Sequence, residues 1–327
     1  MGAQCTSRAP HAYQLDSCDP AAETYSMTIT SPVTVPIRFL LTDFRRAISL
    51  SSTAFLALAF LVSMLVLQPL IASAQTAAGG DSAAGASLKK VLDSSSRPAT
   101  DKDRDRYRHP FETLSWFGLK PEMTVVEIWP GAGWYTEILA PYLKQNGKLY
   151  AAVAPGENTA AYRKKLADDT ADYGKVVVTD LDPPAKLEIA PPGSADIVLT
   201  FRNVHNWMRR GYAEDVFKAM YHALKAGGIL GITEHRGDPA VPQDPKAASG
   251  YVREDYVIKL AERAGFQLVG RSEINANPKD ARNYPGGVWT LPPTLRLKEV
   301  DRSKYLAIGE SDRMTLKFVK PIKTAAH

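Results

Sequence analysis

The sequence predicts an α/β fold of the Rossmann-like, doubly wound kind: a mostly parallel sheet with helices on both faces. Three observations predict it. A β-branched run, Val125-Val126-Glu127-Ile128, turns through Trp129-Pro130-Gly131-Ala132-Gly133. It then continues into the apolar-periodic Trp134-Tyr135-Thr136-Glu137-Ile138-Leu139-Ala140, so the stretch reads as strand, tight loop and helix. Strand-like and helix-like stretches then alternate at spacings that suit βαβ units. Finally, polar side chains follow the last apolar residue of several of these strands, which is where ligands sit in open parallel sheets.

Each element has its own reason. Pro110 suits the first turn of a helix that turns Leu114 and Phe117 inward. Before it, residues 101–109 alternate acids and bases. That reads either as a solvated helix face or as a lid carrying Arg106, Tyr107, Arg108 and His109. After the opening strand and helix, 147–153 is a second strand, 159–169 a helix, and 175–179 a third strand closing in Asp180-Leu181-Asp182. The fourth, 196–201, runs into Arg202-Asn203-Val204-His205-Asn206-Trp207. A helix over 213–225 gives way at Ala226-Gly227-Gly228, and the fifth strand, 229–233, runs into Glu234-His235-Arg236. A late helix spans 251–266 and a last strand 314–319. Residues 277–311 between them are rich in Pro and Gly, and a connection this long is expected to fold as a lid over the strand ends. It would either deliver Glu310, Asp312 and Arg313 to a site or let them form an ion-pair network at the start of the last strand.

Length and composition bound the rest. The chain has 327 residues, a net charge of +5 and 45% apolar side chains, ample for a buried core. Residues 1–74 hold four bases (Arg8, Arg38, Arg45, Arg46) and four acids (Asp16, Asp19, Glu23, Asp43), so the excess lies downstream. There Lys and Arg are interleaved with Asp and Glu, which argues against a nucleic-acid surface. Cys5 and Cys18 lie in the N-terminal segment, leaving nothing downstream for a thiolate nucleophile or a Cys-ligated metal. The apolar run 54–67, interrupted only at Ser63, follows Arg45-Arg46 and precedes Ile71-Ala72-Ser73-Ala74-Gln75. It reads as a secretory signal peptide cleaved after Ala74, with export to the periplasm, or as a membrane anchor if uncleaved. Arg45-Arg46-Ala47-Ile48 resembles a twin-arginine export signal, and Met27 is a candidate start. Residues 75–96 read as a linker and short leader, 97–321 as the folded domain with a lid-like insertion at 277–312, and 322–327 as a tail.

Glu127, Asp180, Arg202-Asn203-His205-Asn206 and Glu234-His235-Arg236 all follow strands, so the fold gathers them on one sheet edge. A neutral imidazole is the usual proton acceptor at pH 7, and His205, flanked by the amides of Asn203 and Asn206, is preferred over His235 for that role. Arg202 and Arg236 either suit a carboxylate or phosphate on a small-molecule substrate or only pair with Glu234, and Trp289 is placed beside that substrate. His, Glu and Asp lack the spacing of a metal motif such as His-Glu-x-x-His, so no metal is expected.

The order of elements, the acid before a glycine loop, Leu224-Lys225-Ala226-Gly227-Gly228 and the late helix resemble a class I S-adenosylmethionine-dependent methyltransferase. Glu127 to Thr136, Arg202 to Trp207 and Gly309-Glu310-Ser311-Asp312-Arg313-Met314 resemble a group of bacterial predicted methyltransferases that often carry export signals, over about residues 97–321. The resemblance implies a seven-stranded sheet and S-adenosyl-L-methionine as cofactor, held by Glu127, Trp129, Gly131, Gly133, Tyr135, Asp180 and Asn203. His205, Asn206 and His235 would then serve the reaction. Two departures stand out. Trp129 replaces the first glycine of the family's loop, and Val153 stands where the family closes its second strand with a ribose-binding acid, the nearest acid being Glu157. Asp180 matches the acid near the adenine amino group. The alternative is a non-catalytic ligand-binding protein in which Trp129 and Val153 mark a pocket that no longer holds the cofactor.

Overall fold

The computed structural model describes residues 83–322; the expected signal peptide and twin-arginine stretch within residues 1–74 lie outside the described residues. Seven strands form one sheet: β1 Thr124–Ile128, β2 Lys148–Val153, β3 Val177–Asp180, β4 Ala195–Phe201, β5 Leu224–His235, β6 Gln267–Ser272 and β7 Arg313–Val319. Their order is β3-β2-β1-β4-β5-β7-β6, with β7 antiparallel to both neighbours and the remaining pairs parallel. β1 therefore lies between β2 and β4, and the carboxyl ends of β1 and β4 form the switch point at which such sheets bind ligands.

Side-chain alternation along the strands builds two cores. Val125, Leu149, Ala151, Val153, Ile197 and Leu199 point to one face, where helices α4 (Pro110–Phe117), α5 (Thr136–Leu143) and α6 (Glu157–Asp168) cover them. Val126, Ile128, Val198, Leu230 and Ile232 point to the other, beneath α8 (Val204–Arg210), α9 (Ala213–Ala223) and α10 (Glu254–Arg263). Leu114 and Phe117 are buried as the helix pattern requires. Within the stretch whose composition reads as linker, residues 83–92 form a helix, α1, because Leu88 and Leu92 dock on the first of these cores.

Short helices α2 (Ala99–Lys102) and α3 (Asp105–Arg108) precede α4, and α7 (Thr170–Tyr173) precedes β3. The segment before β7 contains a 3-10 turn, Gly287–Thr290, and α11 (Arg302–Ile308). No helix among the described residues is long and apolar enough to cross a membrane.

Candidate functional site

The loop after β1 is held in an unusual backbone conformation. Trp129 has φ 45° and Gly131 and Gly133 have φ 61° and 85°; the left-handed region is open to glycine but strained for a bulky side chain. Gly133 is needed for space as well, since a Cβ there would lie 3.0 Å from the Tyr162 ring, whereas nothing lies within 4 Å of the equivalent point at Gly131. Arg202, which follows β4, is also strained at φ 62°. Asn203 ties the two strand ends together, its Nδ2 donating to the carbonyls of Ile128 (2.8 Å) and Trp129 (3.4 Å).

A cavity of about 310 Å³ opens over this switch point. Its floor is Trp129, Pro130, Gly131 and Ala132, with Phe201, Arg202, Asn203, His205, Asn206 and His235 from the strand ends. The segment before β7 supplies Trp289, Pro292 and Ser311 to its wall. Trp289 meets His205 edge-on, with centroids 5.9 Å apart, and carries the guanidiniums of Arg209 and Arg296 over its ring at 4.9 and 4.5 Å.

Two features set the chemistry of this cavity. The first is an imidazole held by a carboxylate. His205 Nδ1 lies 3.0 Å from Glu234 Oε1, and because a carboxylate only accepts, Nδ1 is the donor. That leaves Nε2 to the cavity lined by the ring. Glu234 is fully buried and also accepts from the backbone N–H of His205 and of His235. His235 Nδ1 contacts Ser311 Oγ at 2.5 Å, and burial together with His205, Arg313, Arg202 and Arg108 holds its pKa well below the usual histidine range. His235 is therefore neutral.

The second is a concentration of guanidinium groups. Arg104, Arg108, Arg202 and Arg313 all line the cavity. Behind them Glu310 takes Arg104 Nε at 2.7 Å, Arg108 Nε at 3.3 Å, and Arg313. Burial pushes the Glu310 carboxyl up, but Arg313, Arg108, Arg202 and Arg104 outweigh it and hold the carboxyl well below the ordinary range. Burial and the neighbouring cations lower the Arg202 pKa to about 10 and take that of Arg108 well below its usual value. Arg108 is 2% exposed, and its Nη1 and Nη2, like Arg104 Nη2 and Arg313 Nε, have no acceptor. Buried donors without acceptors are costly, and one carboxylate does not satisfy four guanidiniums.

His205, Glu234 and His235 also bring ligand atoms within 4.8 Å of one another. Both Nδ1 atoms and both Glu234 oxygens are hydrogen-bonded, and the four guanidiniums that line the same cavity oppose a cation there.

The structure brings Trp129, Gly131, Arg202, Asn203, His205, Asn206, His235 and Trp289 to one cavity, but not the other sequence-derived candidates. Glu127 is sealed beneath the loop, accepting from Thr136 Oγ1 at 2.6 Å, and burial raises its pKa to about 7. Gly133 packs under Tyr162, and Tyr135 is buried with its ring stacked on Phe201. Asp180 projects from edge strand β3 into a separate open groove, paired with Arg163 (2.9 Å) and Lys186 (2.7 Å). Arg236 turns away to Glu273 and Asp312, whose hydrogen bonds raise its pKa and occupy the guanidinium that a substrate would need. Arg104, Trp134 and the role of Glu234 were not anticipated. The spacing of Arg104 and Arg108 by four within the charged stretch, which puts both on one side of a helical turn, was the available signal.

The cavity departs from the S-adenosylmethionine site that the sequence resemblance implies. β2 ends in buried Val153, with no carboxylate for a ribose diol, and Asp180 is engaged elsewhere. The indole of Trp129 reaches across to the end of β3, its Nε1 donating to the Leu181 carbonyl at 3.2 Å. A sulfonium cation would also meet four guanidiniums.

No protein-family profile matches the chain, and no curated protein does. Among solved structures, it is similar to a SAM-dependent methyltransferase from Aquifex aeolicus at 18% identity and a TM-score of 0.46, covering 72% of this chain and 98% of that one. The [4+2]-cyclase SpnF gives 15% identity and a TM-score of 0.46, over 66% and 81% of the two chains. The glycopeptide N-methyltransferase MtfA gives 14% and 0.43, over 66% and 96%. Likeness at this level carries no argument about activity. The chain is a Rossmann-like α/β protein with a seven-stranded, mostly parallel sheet, and its chemistry has to be read from the cavity.

Proposed function

We propose that the protein is an enzyme acting on a small organic anion, a carboxylate or phosphate ester, that sits among Arg104, Arg108, Arg202 and Arg313 while His205 accepts a proton from it. The observation that carries this reading is the convergence of four guanidiniums on one cavity around a single buried carboxylate, Glu310, an excess of positive charge that an anion would balance. Glu234 fixes the tautomer of His205 and stabilises the imidazolium that forms when Nε2 takes the proton. Neutral His235 beside it keeps the local positive charge from rising further. Calorimetric titration with inorganic phosphate and with succinate tests the anion site. Micromolar to millimolar binding that weakens at least tenfold in Arg202→Leu supports it; no heat with either anion refutes it.

A second reading, methyl transfer from S-adenosylmethionine to that anion, is favoured by the open space over Gly131, where a backbone free of side chains lies at the strand ends. It requires the Trp129 indole to leave its position. Titration with S-adenosylmethionine and S-adenosylhomocysteine separates the readings. Export and cleavage after Ala74 belong to the same proposal, on the apolar run 54–67, and N-terminal sequencing of the mature protein tests them.

A further inference from the structure

In doubly wound sheets a nucleoside lies across the carboxyl ends of the strands beside β1. The glycine turn lets the ligand approach the backbone, and an acid at the end of β2 takes the ribose. Here β3, β2 and β1 are adjacent, and all three expected features of that crevice are altered at once. The first turn residue is Trp129, and β2 ends in a buried valine. The acid of β3, Asp180, is held outside by Arg163 and Lys186.

The indole is fixed on several sides. Its Nε1 donates to the carbonyl of Leu181, the residue just past β3. Its ring meets Trp207 and Tyr212 edge-on, with centroids 6.1 and 6.3 Å away, and Arg210 lies over it at 5.5 Å. A φ of 45° is strained for so large a residue, so these contacts hold the backbone there against its preference. A planar bicycle with one ring N–H donor is close in shape to a purine, and its donor satisfies the Leu181 carbonyl.

We infer that Trp129 fills the base-binding part of this crevice with the protein's own indole, so that the site is closed to adenosine-bearing ligands. Trp129 is then the residue that determines ligand class. The inference does not rest on the anion site being correct, although both concern the same cavity.

The test compares the full chain with Trp129→Gly, a change that relieves the positive φ, by calorimetric titration with S-adenosylhomocysteine, S-adenosylmethionine, adenosine and, separately, inorganic phosphate. The wild-type chain is expected to show no heat with the three adenosine ligands up to millimolar concentration. The variant is expected to bind S-adenosylhomocysteine at least tenfold more tightly than the wild-type chain. Wild-type binding as tight as the variant's overturns the inference, as does a folded variant that gains nothing. If thermal melting shows that Trp129→Gly does not fold, Trp129→Leu, which keeps apolar packing but removes the bicycle and its donor, takes its place under the same criteria. Failure of phosphate binding alone counts against the anion site and leaves this inference standing.

Discussion

Glu310→Gln tests the electrostatic design of the cavity directly. Glu310 is 2% exposed and is the shared acceptor for Arg104, Arg108 and Arg313, while Arg202 lies close enough to depress its pKa as well. The amide keeps the shape and one acceptor oxygen but removes the charge, so several guanidiniums are left with no counter-ion. Breaking a buried pair in this way costs about 3 to 5 kcal/mol. Urea denaturation at pH 7, followed by circular dichroism, should show a loss of that size. The pH dependence has a definite sign. A carboxyl whose folded pKa lies below its unfolded one contributes stability that is full above the ordinary carboxyl pKa and disappears as pH falls through the depressed value. The wild-type advantage over the variant should therefore be constant from neutral pH to about pH 5 and shrink only in strong acid. Phosphate at one hundred times its Kd should return roughly 2.7 kcal/mol of stabilisation to the variant by occupying the guanidiniums that the carboxylate left. A loss below about 1 kcal/mol, the range of an exposed pair, would refute the account of Glu310 as the central counter-ion.

Glu127 has the opposite linkage. Burial raises its pKa from 4.5 to about 7, so the folded state binds more protons and stability falls as pH rises from 4.5 to 7, by about 3 kcal/mol in all. Glu127→Gln should abolish that slope and make the protein more stable than wild type above pH 7; parallel curves for the two in urea melts across pH 5 to 8 would count against it. Arg236→Met should destabilise by about 1 to 3 kcal/mol, because Asp312, 1% exposed, loses one partner but keeps Arg282 at 2.6 Å and the backbone N–H of Asn277, and should leave phosphate affinity within twofold because Arg236 lies off the cavity; a large affinity loss would restore it as a ligand group. His205→Ala should leave phosphate affinity within about threefold and abolish deuterium exchange from the C–H beside the bound anion's acidic group, if a substrate screen yields one; loss of binding together with exchange would make His205 structural. Limited proteolysis between 277 and 311 should be slowed by phosphate, since Trp289, Pro292 and Ser311 line the site; cleavage at an unchanged rate would remove the lid role.

Much of the scaffold was legible because it depends on local periodicity. Val125 and Val126 must face opposite sides of any strand, and the sequence covers both sides with helices, so the doubly wound arrangement follows. Strand ends were within a few residues: the predicted 175–179 is Val177–Asp180 and the predicted 196–201 is Ala195–Phe201. Strand β6 escaped location because Gln267–Ser272, exposed at alternate positions on the sheet edge, has little apolar signal. For the site, following a strand proved necessary but not sufficient. Glu127 sits one residue inside β1 and points into the core, Asp180 ends an edge strand with two cations beside it, and Arg236 meets Asp312 across the β5–β7 pair.

The sequence by itself determined the layered fold, the glycine turn and the placing of His205 beyond a strand end, because each depends on residues within one or two turns of chain. Only the tertiary structure decided what those residues meet. Arg104 and Glu310, 206 positions apart, become an ion pair, and Trp129 finds the Leu181 carbonyl 52 positions away. Charge and shape at a point in a folded protein are sums over every element packed there, and no local pattern contains that sum.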